Sequence, residues 1–219
     1  MIAVIITSLV GAAACSSITD QPRVTESSSA SVPQPTDGAD SCDAPVGEFE
    51  RAPDDLRWEA VDGVSWPVSD SLGPTANQDG WAVCFSRSPV GAALAATSML
   101  FAAAEHSGVD VTEFYMIDSP GKTAALEDAR STDTPDFVAD MRETGMTPVG
   151  FRVDEYTPDR ASLQLVFSLP QSRTGYVGIP ITTVWTGGDW RLKVLDDGTL
   201  SEVSEMTADD FAMWVNPGD

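Results

Sequence analysis

Gly121-Lys122-Thr123 has the ending of a phosphate-cradling loop, in which the lysine reaches phosphate oxygens and the hydroxyl binds magnesium. The first glycine of such a loop would fall at Met116, and no Gly-rich strand end leads into it, so the residues read as a loop before a helix. Ser119-Pro120-Gly121-Lys122 fits the Ser-x-x-Lys spacing of acylating enzymes. Its companion motifs Ser-Asp-Asn and Lys-Thr-Gly do not occur, and Pro120-Gly121 would break the helix the motif needs. The pairs Asp54-Asp55, Asp154-Glu155, Asp196-Asp197 and Asp209-Asp210 are adjacent in sequence. Strand neighbours point to opposite faces, so adjacency makes no acid–base pair. The single histidine, His106, excludes multi-histidine metal sites and reads as a helix-end residue, where a cation favours the dipole. The expectation is a chain with no catalytic residues, no metal and no cofactor.

Charge narrows the partners. The chain has 34 Asp and Glu against 12 Lys and Arg, a formal net charge of −22. Residues 1–51 hold seven acids and two bases, so the remaining 168 residues carry −17 and the acidity belongs to the folded part. Phosphate binding needs clustered Lys and Arg, and the only lysines are Lys122 and Lys193, so nucleic acid is not an expected partner. The plain reading of the acidity is a solvated surface, whose self-repulsion keeps the domain apart from anionic lipid.

The N-terminus reads as an export signal. Ile2–Val10 is too short to span a bilayer but suits the apolar region of a leader. Gly11-Ala12-Ala13-Ala14 before Cys15 resembles a bacterial lipobox, with Ala12 where Leu is usual and no Lys or Arg ahead of the apolar run. Cys15 is the expected lipidation site, and the membrane is then a partner through its lipid. An uncleaved anchor and an unmodified leader are the other readings of the same residues. Ser16–Asp40 has six Ser, three Thr, three Pro and no aromatic residue, too little apolar surface to fold. As a flexible stalk it would hold the domain roughly 25–30 Å from its tether. The organisation expected is a leader over 1–14, a lipid-anchored linker over 15–41 and one extracytoplasmic domain over 42–219. With Cys15 lipidated, Cys42 and Cys84 remain as a pair suited to a disulfide in an oxidising compartment. A reactive thiol at Cys84 is the alternative.

The elements follow from punctuation and period. Arg57–Val61 and Trp81–Phe85 read as short strands, with Gly73-Pro74 and Asp79-Gly80 marking turns between them. Ser88 suits an N-cap and Pro89 the first helical position, and an Ala-rich helix runs from there to Gly108. Two shorter helices, Thr123–Arg130 and one from a Thr134-Pro135 cap to Arg142, precede a change of period. Thr147–Tyr156, Ser162–Leu169, Tyr176–Thr186 and Trp190–Leu195 then read as four strands, with a Gly187-Gly188-Asp189 reversal between the last two. Thr207–Val215 reads as a closing helical turn that buries Phe211 and Trp214. Helices followed by an antiparallel meander are α+β. A long helix on a curved four-stranded sheet is the cone-like arrangement of the nuclear-transport-factor-like superfamily, with cystatin-like folds as the alternative. Tyr156, Phe167 and Trp185 are the candidates for a pocket or interface on the sheet's concave face.

Val64–Leu100, with Pro67, Gly73-Pro74, Phe85 and Ser88-Pro89-Val90-Gly91-Ala92, resembles an uncharacterised family of actinobacterial envelope proteins. Val184-Trp185 and Gly188-Asp189-Trp190-Arg191-Leu192 are similar to that family's C-terminal end. The resemblance covers residues 55–195 and implies proximity to conjugation or type IV secretion machinery, with no catalytic residues to carry over. The expected function is that of a non-catalytic, membrane-anchored extracytoplasmic lipoprotein that docks envelope proteins. A small-molecule or peptide-binding module is the alternative, and an envelope enzyme the third reading.

Overall fold

The computed structural model describes Cys42, residues 45–131 and residues 137–215. These lie in one compact unit, Ala39–Asp219. The leader, Cys15 and the stalk fall outside the described residues, as does the Thr134-Pro135 cap.

The β-branched run after residue 146 forms the expected meander. Strands β5 (Thr147–Thr157), β6 (Arg160–Ser168), β7 (Tyr176–Thr186) and β8 (Asp189–Lys193) pair antiparallel in chain order. Alternation sorts one face into the core: Phe151, Leu163, Leu165, Phe167, Ile179 and Ile181 are all buried. The register sets Phe151 opposite Leu165 and Leu163 opposite Ile181, so these side chains form one apolar layer.

Helix α1 (Pro89–Phe101) covers that layer. The Ser88 hydroxyl accepts the Gly91 N–H at 2.9 Å, and Pro89 begins the helix where its missing N–H removes no bond. Every residue of α1 except Leu100 is buried, as an apolar helix without a polar face requires. Its other side is closed by a hairpin of β1 (Leu56–Val61) and β2 (Val64–Ser69), from which Trp66 stacks on Phe101 at 5.1 Å. A small hairpin, β3 (Ala76–Gln78) with β4 (Trp81–Val83), follows. The fold is α+β, as expected.

Several boundaries depart from the sequence reading. The helix at Ser88 ends at Phe101 and passes through a 3₁₀ turn, Ala102–Ala104. Gly108 starts a helix instead of stopping one: α2 (Gly108–Tyr115) is capped by the Ser107 hydroxyl, which accepts the Asp110 N–H. Helices α3 (Pro120–Ala129) and α4 (Phe137–Thr144) follow. The stretch read as a last helical turn makes a turn at its start, where the Asp210 N–H donates to the Thr207 carbonyl, and is then extended. Its strand β10 (Ala212–Met213) pairs with Gly150 and Phe151 on the outer edge of β5. A further short strand, β9 (Ser204–Met206), pairs with the start of β7. Trp214 is buried as expected, against Phe151 at 4.4 Å, because the sheet edge offers it a partner that an isolated turn lacks. No helix among the described residues is long and apolar enough to cross a membrane.

Candidate functional site

Cys42 and Cys84 are joined as a disulfide with Cα atoms 5.1 Å apart. Cys84 holds a left-handed backbone, φ +66°, which a non-glycine residue adopts only when its surroundings impose it. Thr75 holds the Cys84 carbonyl through an N–H and a hydroxyl, and the Cys84 N–H is held by Asp189, 3% exposed at the start of β8. Its carboxylate accepts N–H groups from Cys84 at 2.8 Å, Phe85 at 3.2 Å and Trp190 at 2.9 Å. Burial raises its proton affinity, these three N–H groups and Arg191 oppose that, and burial prevails. Beside it the Trp190 indole N–H donates to the Ser86 carbonyl at 2.9 Å, and the Ser86 and Ser88 hydroxyls bond each other. This knot fastens the disulfide-bearing segment and the start of α1 to the sheet.

From that knot the N-terminal arm runs outward. Val46 bridges Arg87, and the Val90 N–H donates to the Phe49 carbonyl at 3.0 Å. The arm forms one wall of a groove of about 650 Å³, and Asp209–Ala212 form the other. Its floor is β5, from Phe151 to Tyr156. Six carboxylates line it, those of Glu48, Glu50, Asp154, Glu155, Asp209 and Asp210, against one cation, Arg152, which pairs with Asp154 at 2.7 Å. Thr207 donates its N–H and hydroxyl to Asp210 at 2.7 and 2.8 Å, which holds that carboxyl below the usual range. A second groove, about 410 Å³, lies between the outer sheet face at Gln164 and Thr182 and the loop around Asp196 and Leu200. Among the described residues no group of three or more His, Cys, Asp or Glu side chains is placed to hold a metal ion.

The residues expected at a pocket separate into two places. Tyr156 donates its hydroxyl to the Arg87 carbonyl at 3.0 Å and lines the acidic groove. Trp185 pairs with Trp190 across the β7–β8 hairpin, ring centres 5.2 Å apart, with the Arg87 guanidinium 5.1 Å from its own centre. Phe167 shares their sheet face but lies apart from both. It is fully buried at the far end of β6, edge-on to Phe137 at 6.1 Å, because the face it shares with the other two is the one the helices cover. His106 lies beyond α1 and stacks on Trp81 at 3.9 Å, whose other face meets Phe114 at 4.5 Å.

A family model described as a domain of unknown function (DUF8175) matches residues 21–215. The chain belongs to that family. No curated protein and no solved structure matches it. The DUF8175 match contains the disulfide, the Asp189 knot and the whole acidic groove, while Cys15 precedes it.

Sequence reasoning missed Asp189 and the groove. Asp189 looked like a turn residue, and its partner Cys84 lies 105 positions away. The acids of the groove come from three separate segments. The one usable signal for the domain's α1 junction was Ser88-Pro89-Val90-Gly91. A Cβ at Gly91 would collide with the Ser86 carbonyl, so the glycine permits the close seating of the helix.

Proposed function

We propose that this DUF8175 protein is an exported lipoprotein of actinobacterial type, anchored by lipid on Cys15, whose domain docks other proteins of the cell envelope and performs no catalysis. Components of a transfer or secretion apparatus are the partner class this reading puts first. The observation that carries it is the groove along β5, where a strand edge and apolar side chains meet a charged rim. Its volume falls within the roughly 300–1,000 Å³ of ligand sites, yet it is open along the strand, which favours a polypeptide. The Cys42–Cys84 disulfide supports an oxidising compartment. An enclosed small-molecule pocket is the weaker reading, since α1 packs its side chains into the helix-facing layer of the sheet.

Affinity capture of the full-length chain from gently solubilised membranes, read by mass spectrometry, tests both parts. Transfer or secretion components should accompany the wild type. Cys15→Ala should be released to the medium or left unprocessed. Recovery of the chain alone overturns the docking role, and membrane retention of Cys15→Ala at unchanged mass overturns the lipid anchor.

A further inference from the structure

We infer that the groove beside β5 receives an extended segment of a partner protein in which Lys or Arg alternates with apolar residues. The inference rests on the docking role proposed above and adds the place and the chemistry of the partner.

Strand edge, apolar floor and charge lead to it together. Six consecutive residues of β5, Phe151–Tyr156, line the groove. Successive strand residues point to opposite faces, so a groove lined by both sets runs along the strand's edge. Strand β10 occupies that edge only at Gly150 and Phe151. Among the described residues no strand pairs with it from Arg152 onward, so its backbone groups can receive an added strand. Tyr156 in the floor and Phe211 in one wall supply apolar surface. The carboxylates of Glu48 and Glu50 on one wall and Asp209 and Asp210 on the other face any segment laid between them.

The same features exclude the other occupants. A second copy would bring another net charge of −22 to an acidic edge. Nucleic acid and anionic lipid are repelled for the same electrostatic reason. A basic extended segment satisfies both the edge and the rim. Its backbone pairs with β5, and alternate side chains reach the carboxylates and the apolar floor.

The test uses the full-length protein and a fluorescein-labelled nine-residue peptide alternating Arg with Val or Thr. Binding should weaken as salt rises. The variant E48Q/E50Q/E155Q/D209N should bind at least tenfold more weakly. A control losing as many charges elsewhere, D79N/E105Q/E127Q/E202Q, should stay within twofold of wild type. Equal losses in both would mean attraction to general acidity and would overturn the site. Hydrogen exchange on the wild type should slow at residues 153–157 on binding, and protection confined to other segments overturns it. A peptide with Glu in place of Arg should not bind the wild type, and equal binding of that peptide also overturns the inference, whatever the fate of the variants. If envelope components are captured but the Arg peptide does not bind here, this inference fails while the docking role stands; if neither occurs, both fail.

Discussion

The carboxylate of Asp189 accepts the backbone N–H of Cys84 at 2.8 Å across 105 positions of chain. One buried acid thus holds the disulfide's inner end, the lead into α1 and Trp190 of β8 in register. Asp189→Asn replaces one acceptor oxygen by an NH₂ group among backbone donors. The expected loss is about 1–3 kcal/mol in urea or thermal unfolding, from at least one buried N–H left unpaired. The pH dependence has a definite sign. Burial holds the folded carboxyl above its unfolded value, so between the two values the native state binds more protons. The stability from this group is complete below the unfolded value of about 3.9 and is lost as pH rises through the folded one. The wild-type advantage over Asp189→Asn should therefore shrink with rising pH just above the ordinary carboxylate range. A difference that does not vary with pH there would refute the assignment.

Asp55 shows the opposite sign. Burial works against its charge, but hydrogen bonds from the Ser69 hydroxyl at 2.7 Å and the Ser71 N–H at 2.7 Å, with the Ser71 side chain, outweigh it and lower its affinity for protons. Its contribution is present above the unfolded value and lost as pH falls through the lower folded one. Asp55→Asn should flatten the most acidic part of the stability profile and leave the Asp189 window unchanged.

The disulfide ties Cys42 to a residue 42 positions on and fixes the arm that walls the groove. Cys42→Ser with Cys84→Ser should lower stability by about 2–4 kcal/mol. It should also speed hydrogen exchange at Gly47 and Val90, whose N–H groups donate to the Arg87 and Phe49 carbonyls and join arm to helix. Unchanged exchange there would show that the arm is held without the bond.

Gly91→Ala should destabilise by about 1–3 kcal/mol, since the added methyl meets the buried Ser86 carbonyl and α1 must lift from its seat. Gly108→Ala is the contrast. Its Cβ would stand 3.8 Å from that of Ala129, an ordinary contact, so the change should stay within about 1 kcal/mol. Thermal unfolding of the two variants side by side checks the seating.

His106→Ala removes the imidazole that stacks on Trp81 and bares one indole face, the other still covered by Phe114. A loss of about 0.5–1.5 kcal/mol is expected, with a red shift in the Trp81 emission read by difference from the same variant lacking Trp81. An unshifted spectrum would place His106 away from the ring.

The meander was legible in the sequence because its β-branched residues alternate and its reversals carry Gly and Asp. Helix α1 was legible because Ser88-Pro89 marks a start and its small residues allow burial on every side. Strand β2 was legible only through the resemblance, whose pattern places a Pro-containing strand at Pro67, although Asp62-Gly63 carries a local signal: both residues have positive φ, 50° and 86°, as a two-residue hairpin turn demands. Strand β10 was unreadable. Nothing local makes Ala212 and Met213 extended; the open edge of β5 does.

By itself the sequence determined the period of each strong element, the even pair Cys42 and Cys84, and the negative charge, because these depend on residue types and short spacings. The tertiary structure decided where the charge converges, which edge of β5 stays unpaired among the described residues, and that Asp189 meets Cys84. Those relations join segments about 50 to 160 residues apart in the chain, and they arise only when packing around α1 has fixed the sheet and the arm together.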